Sequence, residues 1–146
     1  MTAHKSIQET KRTAIPPKPL DTTELHGRVR VAYFSFTVPA GDAAIDDTIA
    51  LTTLPLGARM IGGHLAYEAM STGGANASVQ IGTAASAAKY LGTTSIDAAG
   101  STAFGNTVAL AYGDLMTADT TILATVKTEA LAATKILAGH ILYVLD

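Results

Sequence analysis

Arg28-Val29-Arg30-Val31-Ala32-Tyr33-Phe34-Ser35-Phe36-Thr37-Val38 decides the fold of this chain, because its apolar and aromatic residues run with period two until Pro39-Ala40-Gly41-Asp42 stops the run. Alternate residues of a strand point to opposite faces. Val29, Val31, Tyr33, Ser35 and Thr37 therefore share one face, and Arg28, Arg30, Ala32, Phe34, Phe36 and Val38 the other. The same period returns downstream. Ile49 and Leu51 alternate with Thr48, Ala50 and Thr52 in a strand over about 47–54, closed by the turn Leu54-Pro55-Leu56-Gly57. A third strand begins near Ala58 and runs to Ala69, its Gly62-Gly63 pair marking a bulge or a close backbone approach. After the loop Ser71-Thr72-Gly73-Gly74-Ala75-Asn76 comes a short strand, Ser78 to Thr83.

The later segments are read in the same way. Ala84 to Leu91, rich in alanine, is expected to form a helical turn or two. Gly92 to Asn106 is expected to be a long surface loop and hence a candidate contact surface. Thr107–Tyr112, Thr120–Thr128 and Lys135–Leu145 complete the strands. The last is apolar on both faces: Ile136, Ala138, His140, Leu142 and Val144 on one, Leu137, Gly139, Ile141, Tyr143 and Leu145 on the other. Such a strand is central, or one of its faces meets another subunit. Seven or eight short strands with no helix long enough for a crossover predict an all-β, antiparallel β-sandwich, jelly-roll-like.

Upstream of Arg28 the pattern differs. Residues 1–27 are polar without a sustained apolar period, and Ile15-Pro16-Pro17-Lys18-Pro19-Leu20 removes three backbone donors and favours a polyproline path. The division is an extended N-terminal arm, 1–27, and a β-sandwich body, 28–146. The arm residues expected to bind a partner are Lys5, Ile7, Lys11, Arg12, Ile15, Pro16, Pro17, Lys18 and Leu20, apolar anchors interleaved with cations.

Composition supports assembly. The 146 residues are 48% hydrophobic but only 15% charged, against about 25% charged in an ordinary soluble domain. So weakly charged a surface is poorly protected from association, which predicts a protein covered by neighbours in its working state, most simply a homo-oligomer. With no cysteine, packing and hydrogen bonds alone must hold the fold. Residues 1–30 hold six basic groups against three acidic, or +3; the rest hold four against nine, or −5. A mildly basic arm therefore accompanies an acidic body. No basic cluster interleaved with aromatics argues for nucleic acid, and no apolar run is long enough to cross a bilayer. The expectation is a soluble protein folded in a cytoplasm, without nucleic-acid or membrane partners.

Catalytic patterns are absent from the sequence. There is no phosphate-binding loop, no Gly-x-Ser-x-Gly elbow and no pair of the four histidines (His4, His26, His64, His140) at metal-ligand spacing. Asp42, Asp46 and Asp47 lack calcium-loop spacing and read as an Asp-rich turn. Neither enzyme nor cofactor is expected.

Leu54-Pro55-Leu56-Gly57-Ala58-Arg59-Met60-Ile61-Gly62-Gly63 resembles a turn-and-strand pattern of virion structural proteins of tailed bacteriophages, and Val79-Gln80-Ile81-Gly82-Thr83 before Ala/Ser/Thr-rich sequence is similar to the same proteins. Within that group, a sandwich with an N-terminal arm looks most like a capsid decoration, or cement, protein. The resemblance implies a non-enzymatic homotrimer that binds the major capsid protein on the outside of the head and bridges neighbouring capsid subunits. A tail-fibre or adhesin module binding host carbohydrate is the other reading. It fits less well, because such sites need exposed aromatics, and this chain has no Trp and five Tyr placed mostly inside expected strands.

Overall fold

The computed structural model describes residues 28–40, 43–107, 110 and 113–145. Among them nine strands follow in order: β1 (Val29–Thr37), β2 (Thr48–Leu54), β3 (Ala58–Tyr67), β4 (Ser78–Thr83), β5 (Ser86–Ser95), β6 (Gly100–Phe104), β7 (Asp114–Leu115), β8 (Thr120–Lys127) and β9 (Ile136–Leu145). One sheet has the order β1-β9-β3-β6, with the two-residue β7 also on β3; the other has the order β2-β8-β4-β5. Every pairing is antiparallel.

The pairing has a simple generator. β1 joins β9, β2 joins β8, β3 joins β6 and β4 joins β5, as in a long hairpin whose two arms zip together and then roll over into two sheets. That is the jelly roll. The faces turned toward each other hold a continuous core in which Met60, Leu65, Ile81, Phe104, Ile122, Leu137 and Ile141 are sealed from solvent. Each such burial is worth about 1.5–3 kcal/mol.

Local sequence explains the turns. The amide of Ala58 donates to Pro55 O at 3.0 Å, with Gly57 at φ +81°. Pro55 is thus the first residue of the turn and Gly57 the third, where the positive φ is cheap only for glycine. The expected bulge at the glycine pair is present as a register shift between Met60 and Gly62 against β9. Gly63 then lies under the Phe104 ring, whose edge would be 2.4 Å from any Cβ built there.

Three segments depart from expectation. Ala84 to Leu91 forms no helix: Ser86 opens β5, and Ile81 pairs with Leu91. A few alanines cannot hold an isolated helical turn against a full ladder of β-pairing. Gly92 to Asn106 is not one long loop, because β5 continues to Ser95 and β6 pairs Gly100–Phe104 with Tyr67–Gly63. Thr93, Thr94 and Thr102 are β-branched, and Ile96 and Phe104 are sealed anchors. In the expected strand Thr107–Tyr112, the Leu110 amide instead bonds Thr107 O at 2.9 Å and the Gly113 amide bonds Leu110 O at 2.8 Å, a tight turn. Residues 108, 109, 111 and 112 lie outside the described residues.

Candidate partner-binding surfaces

The two outer faces of the sandwich differ in chemistry. On the second sheet the outward residues include Ala50 and Leu123 but are richer in threonine and glutamine, some of which pair: Thr53 and Thr121 share a hydrogen bond at 2.9 Å, and Gln80 Nε2 donates to Thr93 Oγ1 at 2.7 Å. On the first sheet the outward residues of β1 and β9 are Val29, Val31, Tyr33, Ser35 and Thr37 opposite Val144, Leu142, His140, Ala138 and Ile136. Tyr33 is 79% exposed, Val29 57% and Ile136 44%. The two-sided apolarity of β9 is thereby resolved. The strand is central, with Leu137 and Ile141 in the core, and its other face is open to solvent.

Three rings cross that face in one row. Tyr33 on β1, His140 on β9 and His64 on β3 are direct cross-strand partners. Tyr33 meets His140 edge-on at 6.1 Å between centroids, and His140 stacks on His64 at 5.9 Å. The two histidines that are far apart in sequence thus touch, yet no group of three or more metal-ligating side chains forms among the described residues. The next row holds the small residues Ser35, Ala138, Ala66 and Ser101. Ala138 and Ala66 of that row line a shallow depression of about 350 Å³ together with Tyr67, Glu68, Gly100 and Ile136. Glu68 holds the Ile136 amide at 2.7 Å through Oε2 and remains exposed.

Charge is concentrated at the two ends of the strands. At the end where β1 begins, the described residues are Arg28, Arg30, Arg59 and Lys89 against Asp114 and Asp119; the opposite end has Asp46, Asp47, Glu68, Asp97 and Glu129 against Lys127 and Lys135. At the first end Asp114 takes Lys89 Nζ at 2.6 Å and the Tyr90 hydroxyl at 2.5 Å. Burial and then the Asp114 contact push the Tyr90 phenol above its usual range. At the acidic end the loop 71–76 closes around one carboxylate. Glu129 accepts from the Thr72 hydroxyl at 2.5 Å and from the amides of Thr72, Gly74 and Asn76 at 2.8, 3.0 and 3.0 Å. Those bonds, the Thr72 hydroxyl first, lower its pKa to about 2. The Asp-rich turn is structural where it is described: Asp47 caps the Ala44 amide at 2.8 Å and Asp46 pairs with Lys127. Asp42 lies outside the described residues.

The arm residues singled out from sequence (Lys5, Ile7, Lys11, Arg12, Ile15, Pro16, Pro17, Lys18, Leu20) all lie outside the described residues. What sequence reading missed is the outer face of the first sheet. Its signal was present in the face assignment of Val29, Val31 and Tyr33. Tyr33, placed in a strand, is among the most exposed large side chains and not an interior one.

No family model matches this chain, and no curated protein does. Solved structures do. The chain is similar to one in the cyanophage Pam1 capsid asymmetric unit, with TM-score 0.70, 24% identity and 100% of both chains covered. A second is in the capsid of Ralstonia phage GP4, with TM-score 0.67, 21% identity, and 96% of this chain and 97% of that one covered. A third is in the acidic stable capsid structure of Helicobacter pylori bacteriophage KHP30, with TM-score 0.60, 18% identity, and 83% and 90% covered. The fold, end to end, is one that phage capsids contain.

Proposed function

We propose that this chain is a non-enzymatic structural protein of a tailed-phage virion, a decoration protein that binds the outer surface of the head as a homotrimer and bridges neighbouring major capsid subunits. The observation that carries the reading is the full-length match to a chain of a phage capsid asymmetric unit, with 100% of both chains covered at TM-score 0.70. That likeness runs over the whole of both chains, which supports reading the chain as one structural unit. The uncharged faces support assembly, because burying them costs little desolvation compared with burying ions. The arm is the attachment element: Lys5, Lys11 and Arg12 give it cations, and Ile7 an apolar anchor, for an acidic, pocketed shell surface. Three arms on one trimer raise the effective concentration of each, so attachment depends on avidity.

Co-sedimentation with shells of the major capsid protein from the source virus tests this reading. The full chain is expected to pellet with shells, while a chain lacking residues 2–20 keeps its β-rich circular dichroism and trimer mass but loses most shell attachment. Lys11→Glu with Arg12→Glu is expected to give a milder loss that grows with salt. A full chain that stays in the supernatant at every ionic strength overturns the proposal.

A further inference from the structure

The apolar face of the first sheet has a groove whose shape and chemistry fit a segment of this same chain. Its lining is Ala66, Tyr67, Gly100, Ala138, Ile136 and the exposed Glu68, and by strand register Ser35 continues the Ala138–Ala66 row while the ring row Tyr33–His140–His64 is the next outward row. Aromatic ridges beside shallow troughs are what polyproline segments bind, because a chain already extended by proline loses little entropy on docking. The arm contains one such segment, Ile15-Pro16-Pro17-Lys18-Pro19-Leu20, with an aliphatic side chain at each end and a single cation in the middle. The single cation of the segment matches the single exposed carboxylate of the groove.

Length and attachment point agree. The arm joins the body at Val29, the first residue of β1, which is the edge strand bearing Tyr33 and Ser35. Ser35 lies six residues along β1, about 20 Å from Val29. The nine residues from Leu20 to Val29 span up to about 30 Å, enough to turn back at the start of β1 and reach the groove. Tethering supplies an effective concentration in the millimolar range, which a docking contact without deep pockets needs.

We infer that residues 15–20 dock in this groove of their own body, covering the ring row and placing Lys18 against Glu68. Docking there orders the root of the arm and leaves Lys5, Ile7, Lys11 and Arg12 projecting, so part of the ordering cost of shell attachment is met beforehand. The inference concerns the isolated protein and stands or falls separately from shell binding.

A photo-cross-linking residue, p-benzoylphenylalanine, placed at position 33 of the full chain tests it; Tyr33 is exposed enough to accept the larger ring. Trypsin does not cut before proline, so the segment is recovered whole in the peptide Thr13–Arg28. The expected product is a cross-link from position 33 to that peptide in a species that keeps monomer mass on a denaturing gel. A chain that also carries Ile15→Ser and Leu20→Ser is expected to lose it severalfold while keeping the β-rich spectrum. A product at dimer mass shows a second copy on the face and overturns the inference. So does a monomer-mass product joined to any other peptide, or the absence of any cross-link.

Discussion

Two glycines in strands give opposite expectations once the structure is known, and Gly139→Ala with Gly92→Ala as its partner measures the difference. Propensity alone makes both changes stabilising by about 0.5–1 kcal/mol, because glycine loses more backbone entropy on folding than alanine. Gly92, on β5, has open space around its would-be Cβ. Gly139 is held between Phe34 on β1 and Leu65 on β3. A Cβ there would lie 2.0 Å from the backbone oxygen of His64 and 2.8 Å from the Phe34 ring. The ring can turn, but the oxygen belongs to the neighbouring strand, so β3 and β9 must part. Overpacking costs about 1–3 kcal/mol, and a backbone obstacle puts this case in the upper half. After subtracting the propensity gain, the net loss is about 2 kcal/mol. A body of about 120 residues has an unfolding entropy near 0.25 kcal/mol/K, so the melting midpoint is expected to fall by about 8 °C for Gly139→Ala and to rise by about 2–4 °C for Gly92→Ala. Thermal melts followed by far-ultraviolet circular dichroism, at one protein concentration for all three chains, read both. A Gly139→Ala midpoint at or above wild type would refute the close approach of β3 and β9 and the register that produces it.

Leu65→Ala empties a fully buried site in the second half of β3 and is expected to cost about 2–5 kcal/mol in urea unfolding, with an unchanged slope; a cost under 1 kcal/mol would place Leu65 outside the core. Glu129 has a folded pKa of about 2 against an ordinary 4.5, so its contribution is complete above pH 4.5 and disappears as pH falls toward 2. The midpoint gap between wild type and Glu129→Gln is therefore expected to be widest near neutrality and to close by pH 2, and a gap that grows on acidification would reverse the assignment. Tyr90→Phe removes the hydroxyl bonded to Asp114 but leaves Lys89 on that carboxylate. A loss of about 1 kcal/mol is expected, and stability equal to or above wild type would mean that this bond contributes nothing net.

Much of the body was legible because period two survives wherever one face is buried. β1, β2, β3, β8 and β9 fall within two residues of their expected bounds, and the face division of β1 and β9 is the one observed. β5 and β6 were hidden for a physical reason. Their residues are mostly small, so burial depends on neighbours and not on side-chain size, and Ala84–Leu91 carries helix propensity that only the pairing with β4 overrides. The register shifts within β5 also break the alternation that would have revealed it. The candidate site residues read from prolines and charge, all within 1–27, lie outside the described residues. The groove was not visible, because it is made of rows running across four strands far apart in sequence.

The pairing of first with last strand ties these features together. Because β1 closes on β9, residue 28 stands at the edge of the one sheet whose outer face is apolar, and at the end where, among the described residues, cations outnumber carboxylates. The second sheet's outer face is the more polar, with Thr53 bonded to Thr121 and Gln80 to Thr93. Its partner leaves Val29, Val31, Tyr33 and Ile136 exposed among the described residues, a cost that a covering segment removes. Charge gathered at the ends and kept off the faces also explains how a chain with only 15% charged residues satisfies solvent at its loops and still presents two sides that neighbours can bury without stripping ions of water. Low charge in the composition is therefore a property of the faces, and it is there that contacts with other subunits cost least.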